Sequence, residues 1–266
     1  MARVFASSIL LLTCTVFVTA QSTASEMPDC AVVKAQASRM ETRLKDWPSL
    51  ARYRNDNLKV APAPKDKKRV VFMGDSITDW WAKQESGGFF PGRPYINRGI
   101  AGQTTPQMLV RFRPDVIALK PHVVVILAGT NDLAVGNDLA LPDLTLLKSI
   151  QDNLISMVEL ARANGMRVVL ASVLPVSDYG KEKDGKPVNQ TARRRPDQIR
   201  ALNDWIKTYA AETGLTYLDY HSAMVDEKGL LQAELSDDGL HPNHKGYAVM
   251  APLAERAVAE AYKRKK

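Results

Sequence analysis

The chain has 266 residues, is 45% hydrophobic and carries a formal net charge of +7 at pH 7. This length and hydrophobic content predict one large domain with its own core. The basic residues cluster at 65–69, 181–195 and 263–266 without interleaved aromatic residues or a recognisable binding module. Such clusters are typical of solvated surface and argue against a nucleic-acid partner, while attraction to an anionic polysaccharide or surface stays open.

Residues 1–20 have the features of a secretory signal peptide. One early positive charge, Arg3, precedes an apolar run, and small residues lead to a break after Ala20. The run is short for a membrane span, so we expect cleavage and a secreted or periplasmic protein, with a retained anchor as the alternative. No later apolar run is long enough for stable membrane insertion. Cleavage leaves Cys30 as the only cysteine, so no intrachain disulfide can form.

Residues 21–68 are predicted to form an N-terminal extension. We expect a disordered start over 21–30, an amphipathic helical region over 31–58 that is broken near Pro48, and a connector rich in proline and lysine over 61–68. The main domain is then predicted over 69–262, followed by a basic tail at 263–266.

Short apolar runs alternate with longer helical patterns after residue 69. The predicted strands are 70–73, 95–97, 123–127, 167–173 and 216–219, and the predicted helices lie within 105–119 and at 144–164, 196–213 and 244–262. The strands lack polar alternation and are separated by helices. This pattern predicts an α/β domain whose parallel sheet is covered by helices on both faces.

Polar residues follow four of the predicted strands directly. Asp75 and Ser76 follow the first strand, 99–105 the second, 129–132 the third and 175–178 the fourth. The carboxyl ends of parallel strands share one edge of the sheet, and functional sites of such sheets lie there. We therefore expect the four loops to converge on one site.

A serine nucleophile at Ser76 needs a base and a group that orients the base. Of the four histidines, only His241 has a carboxylate three residues before it, Asp238, and Pro242 follows it. This spacing lets Asp238 reach one ring nitrogen while the other faces a pocket. The alternative is a surface turn in which Asp238 caps a helix. The remaining histidines are His122 at the opposite edge of the sheet, His221 after the fifth strand and His244 at the start of the last helix.

Acyl transfer also needs fixed donors for the oxyanion of its tetrahedral intermediate. The candidates are the backbone N–H of Ser76, an N–H in the turn at 99–102 and the side-chain amide of Asn131. In the alternative interpretation, 129–132 is a tight turn and Asn131 is only a turn former. The catalytic interpretation is favoured because four loops at one edge carry the groups that acyl transfer requires.

Four sequence blocks, GDSITD, NRGIAGQTT, GTND and DGLHP, occur in this order. Together they resemble the four blocks of the GDSL-type, or SGNH, esterase and lipase superfamily, over residues 69–257. One departure is Ile77, which stands where the family's usual name has leucine. The resemblance implies a flavodoxin-like, three-layer α/β/α sandwich of about five parallel strands, with no metal or organic cofactor.

The resemblance also implies a role for each matched residue. Ser76 would be the nucleophile and the first oxyanion donor, and Gly102 and Asn131 would be the second and third donors. His241 would be the general base and Asp238 the residue that orients it. These roles describe a carboxylic ester hydrolase that forms an acyl-enzyme.

The substrate is expected to be a small-molecule or carbohydrate ester with a short acyl group. The chain has no long apolar lid, and segment 177–195 is strongly polar; it either covers the pocket or, as we favour, is a solvated loop without a role. Acetylated carbohydrates, aryl or feruloyl esters and lysophospholipids are candidates that the sequence does not rank. Trp80 and Trp81 either line the substrate site or pack a helix against the sheet.

Two other functions remain as alternatives. A secreted polysaccharide-binding protein could keep the fold without catalysis, but it would not need Ser76, Asn131, Asp238 and His241 together. A metal phosphodiesterase could use Asp75, Asp238 and His241, but it would need a second cluster of ligands that the sequence does not offer. The sequence carries no signal for the oligomeric state.

Overall fold

The computed structural model describes residues 29–61, 68–81, 88–181 and 185–264. The predicted leader at 1–20, the predicted disordered start up to residue 28, most of the connector and the end of the basic tail lie outside the described residues. Contacts divide the chain into two units, Met1–Thr42 and Arg43–Lys266. The described part of the first unit belongs to helix α1 (Cys30–Lys45), and helix α2 (Arg54–Lys59) lies in the second, so the predicted helical region is interrupted around Pro48.

The second unit is built on a sheet of five parallel strands in the order β2-β1-β3-β4-β5. The strands are β1 (Val70–Gly74), β2 (Tyr95–Gly99), β3 (Val123–Leu127), β4 (Arg167–Ala171) and β5 (Thr216–Leu218). Every residue of β1 and β3 is buried, as expected for strands covered on both faces. The predicted parallel sheet is confirmed.

Strand β3 matches its predicted range, and the other four strands begin as predicted but end one or two residues away, most informatively β4. Beyond Ala171, the side chain of Asn203 forms the hydrogen bonds that a neighbouring strand would otherwise form with Val173. Its Oδ1 accepts from the backbone N–H of Val173 at 2.8 Å, and its Nδ2 donates to the Val173 carbonyl at 2.9 Å. The backbone of Val173 is thus hydrogen-bonded without a strand partner, and the strand ends early.

Helices cover both faces of the sheet. The remaining helices are α3 (Ser76–Trp81), α4 (Thr105–Asp115), α5 (Thr130–Asp138), α6 (Asp143–Ala163), α7 (Gln190–Arg193), α8 (Pro196–Glu212), α9 (His221–Met224) and α10 (His244–Lys263), with short 3-10 turns at Ile117–Leu119 and Ala233–Leu235. Helices α4, α6 and α8 pack on one face, and α3, α9 and α10 pack on the other. None of the described helices is long and apolar enough to cross a bilayer.

Alternation of side chains along the strands divides the core in two. In β1, Val71 and Met73 join the cluster on one face, and Val70 and Phe72 join the cluster on the other. A sheet with an apolar cluster and a helical layer on each face is a three-layer α/β/α sandwich, so the expected fold is confirmed. Helix α5 lies where the sequence pattern predicted only a loop, and α3 is the helix that the packing alternative for Trp80 and Trp81 requires.

Candidate active site

The candidate nucleophile lies at a sharp junction between strand and helix. Strand β1 ends at Gly74, and Ser76 is already the first residue of α3. Asp75 between them is fully buried, and its Oδ1 accepts the backbone N–H of Ile77 at 2.9 Å, as an N-cap does. A side chain at position 74 would clash, because a Cβ there would lie 2.1 Å from the Oγ1 of Thr78. The glycine therefore lets the first helical turn fold back over the end of the strand.

Ser76, His241 and Asp238 form one hydrogen-bonded line. The Oγ of Ser76 lies 2.9 Å from Nε2 of His241, and Nδ1 of the same ring lies 2.6 Å from Oδ2 of Asp238. The other carboxylate oxygen, Oδ1, accepts the backbone N–H groups of Leu240 at 3.0 Å and His241 at 2.8 Å. The structure thus brings together all three residues expected to be catalytic, in the order that proton transfer from the serine requires.

The Asp238 carboxylate is held in its ionised form. Burial works to raise its pKa, but hydrogen bonds from the His241 ring, the His241 backbone and the Leu240 backbone outweigh burial and hold the pKa well below the usual range. An ionised Asp238 fixes the proton of the neutral imidazole on Nδ1 and leaves Nε2 as the acceptor that faces Ser76.

The two tryptophans after the nucleophile occupy different environments. Trp80 is partly exposed and stacks against the His241 ring, with ring centroids 4.1 Å apart and planes tilted by 36°. Trp81 is 4% exposed and stacks on Tyr247 inside the aromatic core, where it also meets the edge of Phe72. The suggested substrate contact of Trp81 is therefore corrected, because the period of the helix turns its side chain towards the sheet.

The candidate oxyanion donors lie on adjoining loops. The N–H of Ser76 is at the start of α3, where helical N–H groups have no partner inside the helix. Gly102 follows β2 with a φ of +78°, and its N–H has no acceptor among the described residues. The Asn131 Nδ2 donates to the carbonyl of Gln103 at 3.0 Å, so the amide lies against the loop that carries Gly102. Each donor predicted from sequence is thus held at the same edge of the sheet.

Buried polar side chains fasten these loops to one another. Arg111 of α4 is fully buried and donates to the carbonyls of Gly74 at 3.0 Å and Arg98 at 2.8 Å, so it joins the ends of β1 and β2. Asp132 accepts the backbone N–H of Thr105 with both carboxylate oxygens, at 2.9 and 3.0 Å. Burial raises the pKa of Asp132, against the hydrogen bonds from Thr105. Neither bracing residue was predicted from the sequence, although GTND contains Asp132.

A third buried residue, Arg194, was also missed. Its Nη2 donates to Oδ1 of Asn131 at 3.3 Å, and the residue is only 5% exposed. The strongly polar sequence of 177–195 favoured a solvated loop without a role. The structure corrects that interpretation for Arg194, which lies behind the candidate oxyanion amide. Nothing in the run of three consecutive arginines itself distinguishes the middle one from the outer two.

The other described histidines are engaged elsewhere. His122 forms backbone hydrogen bonds with Arg69 and Arg167 at the amino edge of the sheet, His221 begins α9, and His244 begins α10. Among the described residues, no group of three or more histidine, cysteine, aspartate or glutamate side chains could hold a metal ion. Asp75, one residue of the metal-site alternative, is buried and committed to the N–H of Ile77.

Comparisons with known proteins identify the family of the chain. Residues 72–249 match the profile of the GDSL-like Lipase/Acylhydrolase family. An acetylxylan esterase of Geobacillus stearothermophilus is 28% identical over 209 residues, which are 69% of this chain and 90% of that protein. An acetylxylan esterase of Xylanibacter ruminicola is 26% identical over 231 residues, 76% of this chain, but the match spans only 45% of that longer protein.

A solved structure extends the comparison to the fold. The crystal structure of a GDSL-like lipase from Bacteroides thetaiotaomicron superposes with a TM-score of 0.69 and 38% sequence identity, covering 80% of this chain and 98% of that one. The family match extends over well more than half of the chain and contains every residue of the hydrogen-bonded line. The chain therefore belongs to the GDSL-like lipase/acylhydrolase family and is a carboxylic ester hydrolase.

Proposed function

We propose that the protein is a secreted serine esterase that removes acetyl groups from carbohydrate esters through an acyl-enzyme on Ser76. The observation that carries the mechanism is the hydrogen-bonded line from Ser76 through His241 to Asp238. The acetylxylan esterase relatives support acetylated carbohydrate as the substrate class. The predicted leader at residues 1–20 supports secretion.

In the first half of the reaction, Nε2 of His241 takes the proton of Ser76, and the serine oxygen bonds to the ester carbonyl carbon. The electron pair of the carbonyl moves to its oxygen, which the N–H groups of Ser76 and Gly102 and the amide of Asn131 stabilise. His241 then gives its proton to the leaving sugar hydroxyl as the carbon–oxygen bond breaks. Ser76 is left as an acetyl ester.

In the second half, water takes the place of the alcohol. His241 removes a proton from the water, the hydroxide bonds to the acetyl carbon, and the same donors stabilise the second oxyanion. The intermediate collapses with transfer of the proton from His241 to Ser76 Oγ, which releases acetate and restores the enzyme. Asp238 stays ionised throughout and stabilises the imidazolium in each half.

A comparison of wild type with Ser76→Ala tests this function. The substrates are p-nitrophenyl esters of two, four and eight carbons, acetylated xylan, a feruloyl ester and lysophosphatidylcholine. We expect wild type to release acetate from the xylan and to prefer the two-carbon ester, and Ser76→Ala to lose about four or more orders of magnitude in kcat. A fluorophosphonate probe is expected to label wild type only at Ser76.

Three outcomes would contradict parts of the proposal. Esterase activity that survives in Ser76→Ala would exclude the mechanism. Preference for the feruloyl ester or lysophosphatidylcholine would move the substrate to another class while keeping the mechanism. A folded wild type without any probe adduct, but with affinity for xylan, would indicate a polysaccharide-binding protein.

A further inference from the structure

We infer that Arg194 is a positioning residue for the oxyanion amide: it holds Asn131 with Nδ2 towards the reacting carbonyl and strengthens that donor. The inference rests on the proposed acyl-enzyme function and adds a residue to it. Arg194 lies just after α7, 63 residues from Asn131 along the chain, and neither the sequence blocks nor the hydrogen-bonded line at Ser76 includes it.

Arg194 differs from the arginines on either side of it. Arg193 is about half exposed and forms an ion pair with Asp138, and Arg195 is about half exposed and pairs with Asp143 at 3.0 Å. Arg194 is buried and its side chain is hydrogen-bonded only to neutral groups among the described residues, the Oδ1 of Asn131 at 3.3 Å and the Oε1 of Gln190 at 2.8 Å. The Nε atom is buried with no acceptor in the described part of the chain.

Burying a cation without a contacting carboxylate costs desolvation free energy, so the buried position of Arg194 indicates a role in the protein. Burial lowers the pKa of Arg194, with Asp75 and Asp238 opposing it through space, but a guanidinium stays protonated at neutral pH. The positive charge therefore persists behind the amide of Asn131. The hydrogen bond to Oδ1 passes the effect of this charge to the Asn131 amide, whose nitrogen faces the oxyanion.

The hydrogen bond also fixes which end of the Asn131 amide faces the substrate. A guanidinium has donors only, so it can hold Oδ1 and not Nδ2. One N–H of Nδ2 donates to the carbonyl of Gln103 at 3.0 Å, which leaves the second N–H for the oxyanion. A charged donor on the oxygen also polarises the amide and strengthens the bond that its nitrogen donates.

The same chain of hydrogen bonds reaches the catalytic aspartate. Gln190, which accepts from Arg194, donates through Nε2 to the carbonyl of Asp238 at 3.2 Å. The Oδ1 of Asp178 anchors the start of α7 by accepting the backbone N–H groups of Gln190 at 2.6 Å and Thr191 at 3.0 Å. Arg194 and Gln190 therefore link the loop of Asn131 to the loop of Asp238, so a displacement of one loop would shift the other.

A double-mutant cycle on the full chain tests the inference, with p-nitrophenyl acetate as substrate. The variants are Arg194→Met, Asn131→Ala and the double substitution, with Arg193→Met as a control that removes a positive charge one residue away. We expect Asn131→Ala to lower kcat by about 100- to 1000-fold, and Arg194→Met to lower it by about 10- to 100-fold with KM changed by less than about twofold. In the Asn131→Ala background, Arg194→Met is expected to change kcat by less than about threefold, because its effect passes through the missing amide.

Two results would overturn the inference. One is a kcat for Arg194→Met within about twofold of the Arg193→Met control. The other is an equal fold-loss from Arg194→Met in both backgrounds, which would show a general effect on the structure. Circular dichroism checks folding, and if Arg194→Met does not fold, the neutral Arg194→Gln replaces it in the cycle with the same expected result. A wild type with neither ester turnover nor a fluorophosphonate adduct overturns the proposed function as well, whereas an active wild type with an unaffected Arg194→Met overturns only the role of Arg194.

Discussion

At the residue scale, His241, the proposed general base, is held by an aromatic neighbour as well as by Asp238. Trp80 stacks on the His241 ring with centroids 4.1 Å apart. A close ring contact of this kind restricts rotation of the imidazole, and it becomes a cation–π interaction when the ring accepts the proton of Ser76. Trp80 is also partly exposed, so a direct contact with the substrate stays a prediction from the sequence.

Substitution of Trp80 separates these two roles. If the ring acts through His241, Trp80→Ala lowers kcat by about 2- to 30-fold with little change in KM, because cation–π interactions contribute about 0.5 to 2 kcal/mol. Trp80→Phe, which keeps a ring over the imidazole, is expected to recover part of the loss. Steady-state kinetics on p-nitrophenyl acetate and acetylated xylan measure both parameters. A rise in KM on xylan alone, with unchanged kcat, would assign Trp80 to the sugar and contradict the stacking role.

At the element scale, the site depends on how closely α3 approaches β2. A Cβ at Gly99 would lie 2.1 Å from the backbone nitrogen of Asp79, so only glycine allows this contact. Gly102, three residues later, is under a different constraint. A Cβ there meets nothing within 4 Å, but its φ of +78° is strained for any residue with a side chain.

The two glycines form a matched pair for a stability measurement. Gly99→Ala must push α3 away from the sheet and is expected to lower the free energy of unfolding by about 3 kcal/mol or more, because the obstacle is backbone. Gly102→Ala is expected to cost only about 1 to 2 kcal/mol, the penalty of the left-handed conformation. Urea unfolding followed by circular dichroism gives both values. Equal losses in the two variants would mean that the approach of α3 is not the constraint.

The sequence was most informative where a pattern is local. Short apolar runs identified β1, β3 and β4, and the spacing of Asp238 and His241 predicted the hydrogen-bonded pair, because both depend on neighbours in the chain. Helix α5 was missed and α3 was given only as an alternative for Trp80 and Trp81, since they have 9 and 6 residues and are too short to display a helical period. The N-cap signal of Asp75 was present in the sequence and was not used.

Contacts between distant segments could not be predicted in the same way. Arg194 reaches Asn131 across 63 residues and Arg111 reaches Gly74 across 37, and each depends on the final packing of helices over the strand ends. An arginine surrounded by polar residues has the same local sequence whether it is buried or solvated. The family blocks contain the residues proposed to act on the substrate, whereas the buried residues behind them become apparent only in the fold.

At the scale of the whole molecule, one acidic side chain of the site, Asp75, lies inside the protein. Asp75 is fully buried and its Oδ2 has no partner among the described residues. Burial raises the pKa of Asp75 from an ordinary value of 3.8 to about 6, against the opposing effects of the Ile77 N–H and of His241 and Arg194. The protonation state of Asp75, next to Ser76, therefore affects the free energy of unfolding of the entire domain.

The raised pKa gives the stability of the whole domain a pH dependence with a definite sign. Between pH 4 and pH 6 the folded chain holds a proton on Asp75 that the unfolded chain releases. The contribution of Asp75 to the free energy of unfolding is therefore fully present below about pH 4 and is lost as the pH rises through about 6. The difference of about two pKa units, at about 1.4 kcal/mol each, amounts to about 3 kcal/mol.

Asp75→Asn isolates this contribution, because the amide keeps an oxygen for the N–H of Ile77 and cannot ionise. We expect the free energy of unfolding of the variant, relative to wild type, to rise by about 3 kcal/mol between pH 4 and pH 8, and urea unfolding at each pH measures it. The background of other titrating groups cancels, since it is common to both chains. A constant difference between the two proteins over this range would mean that Asp75 is ionised in the folded state well below pH 6, and that a partner such as Arg194 neutralises it more strongly than burial opposes it.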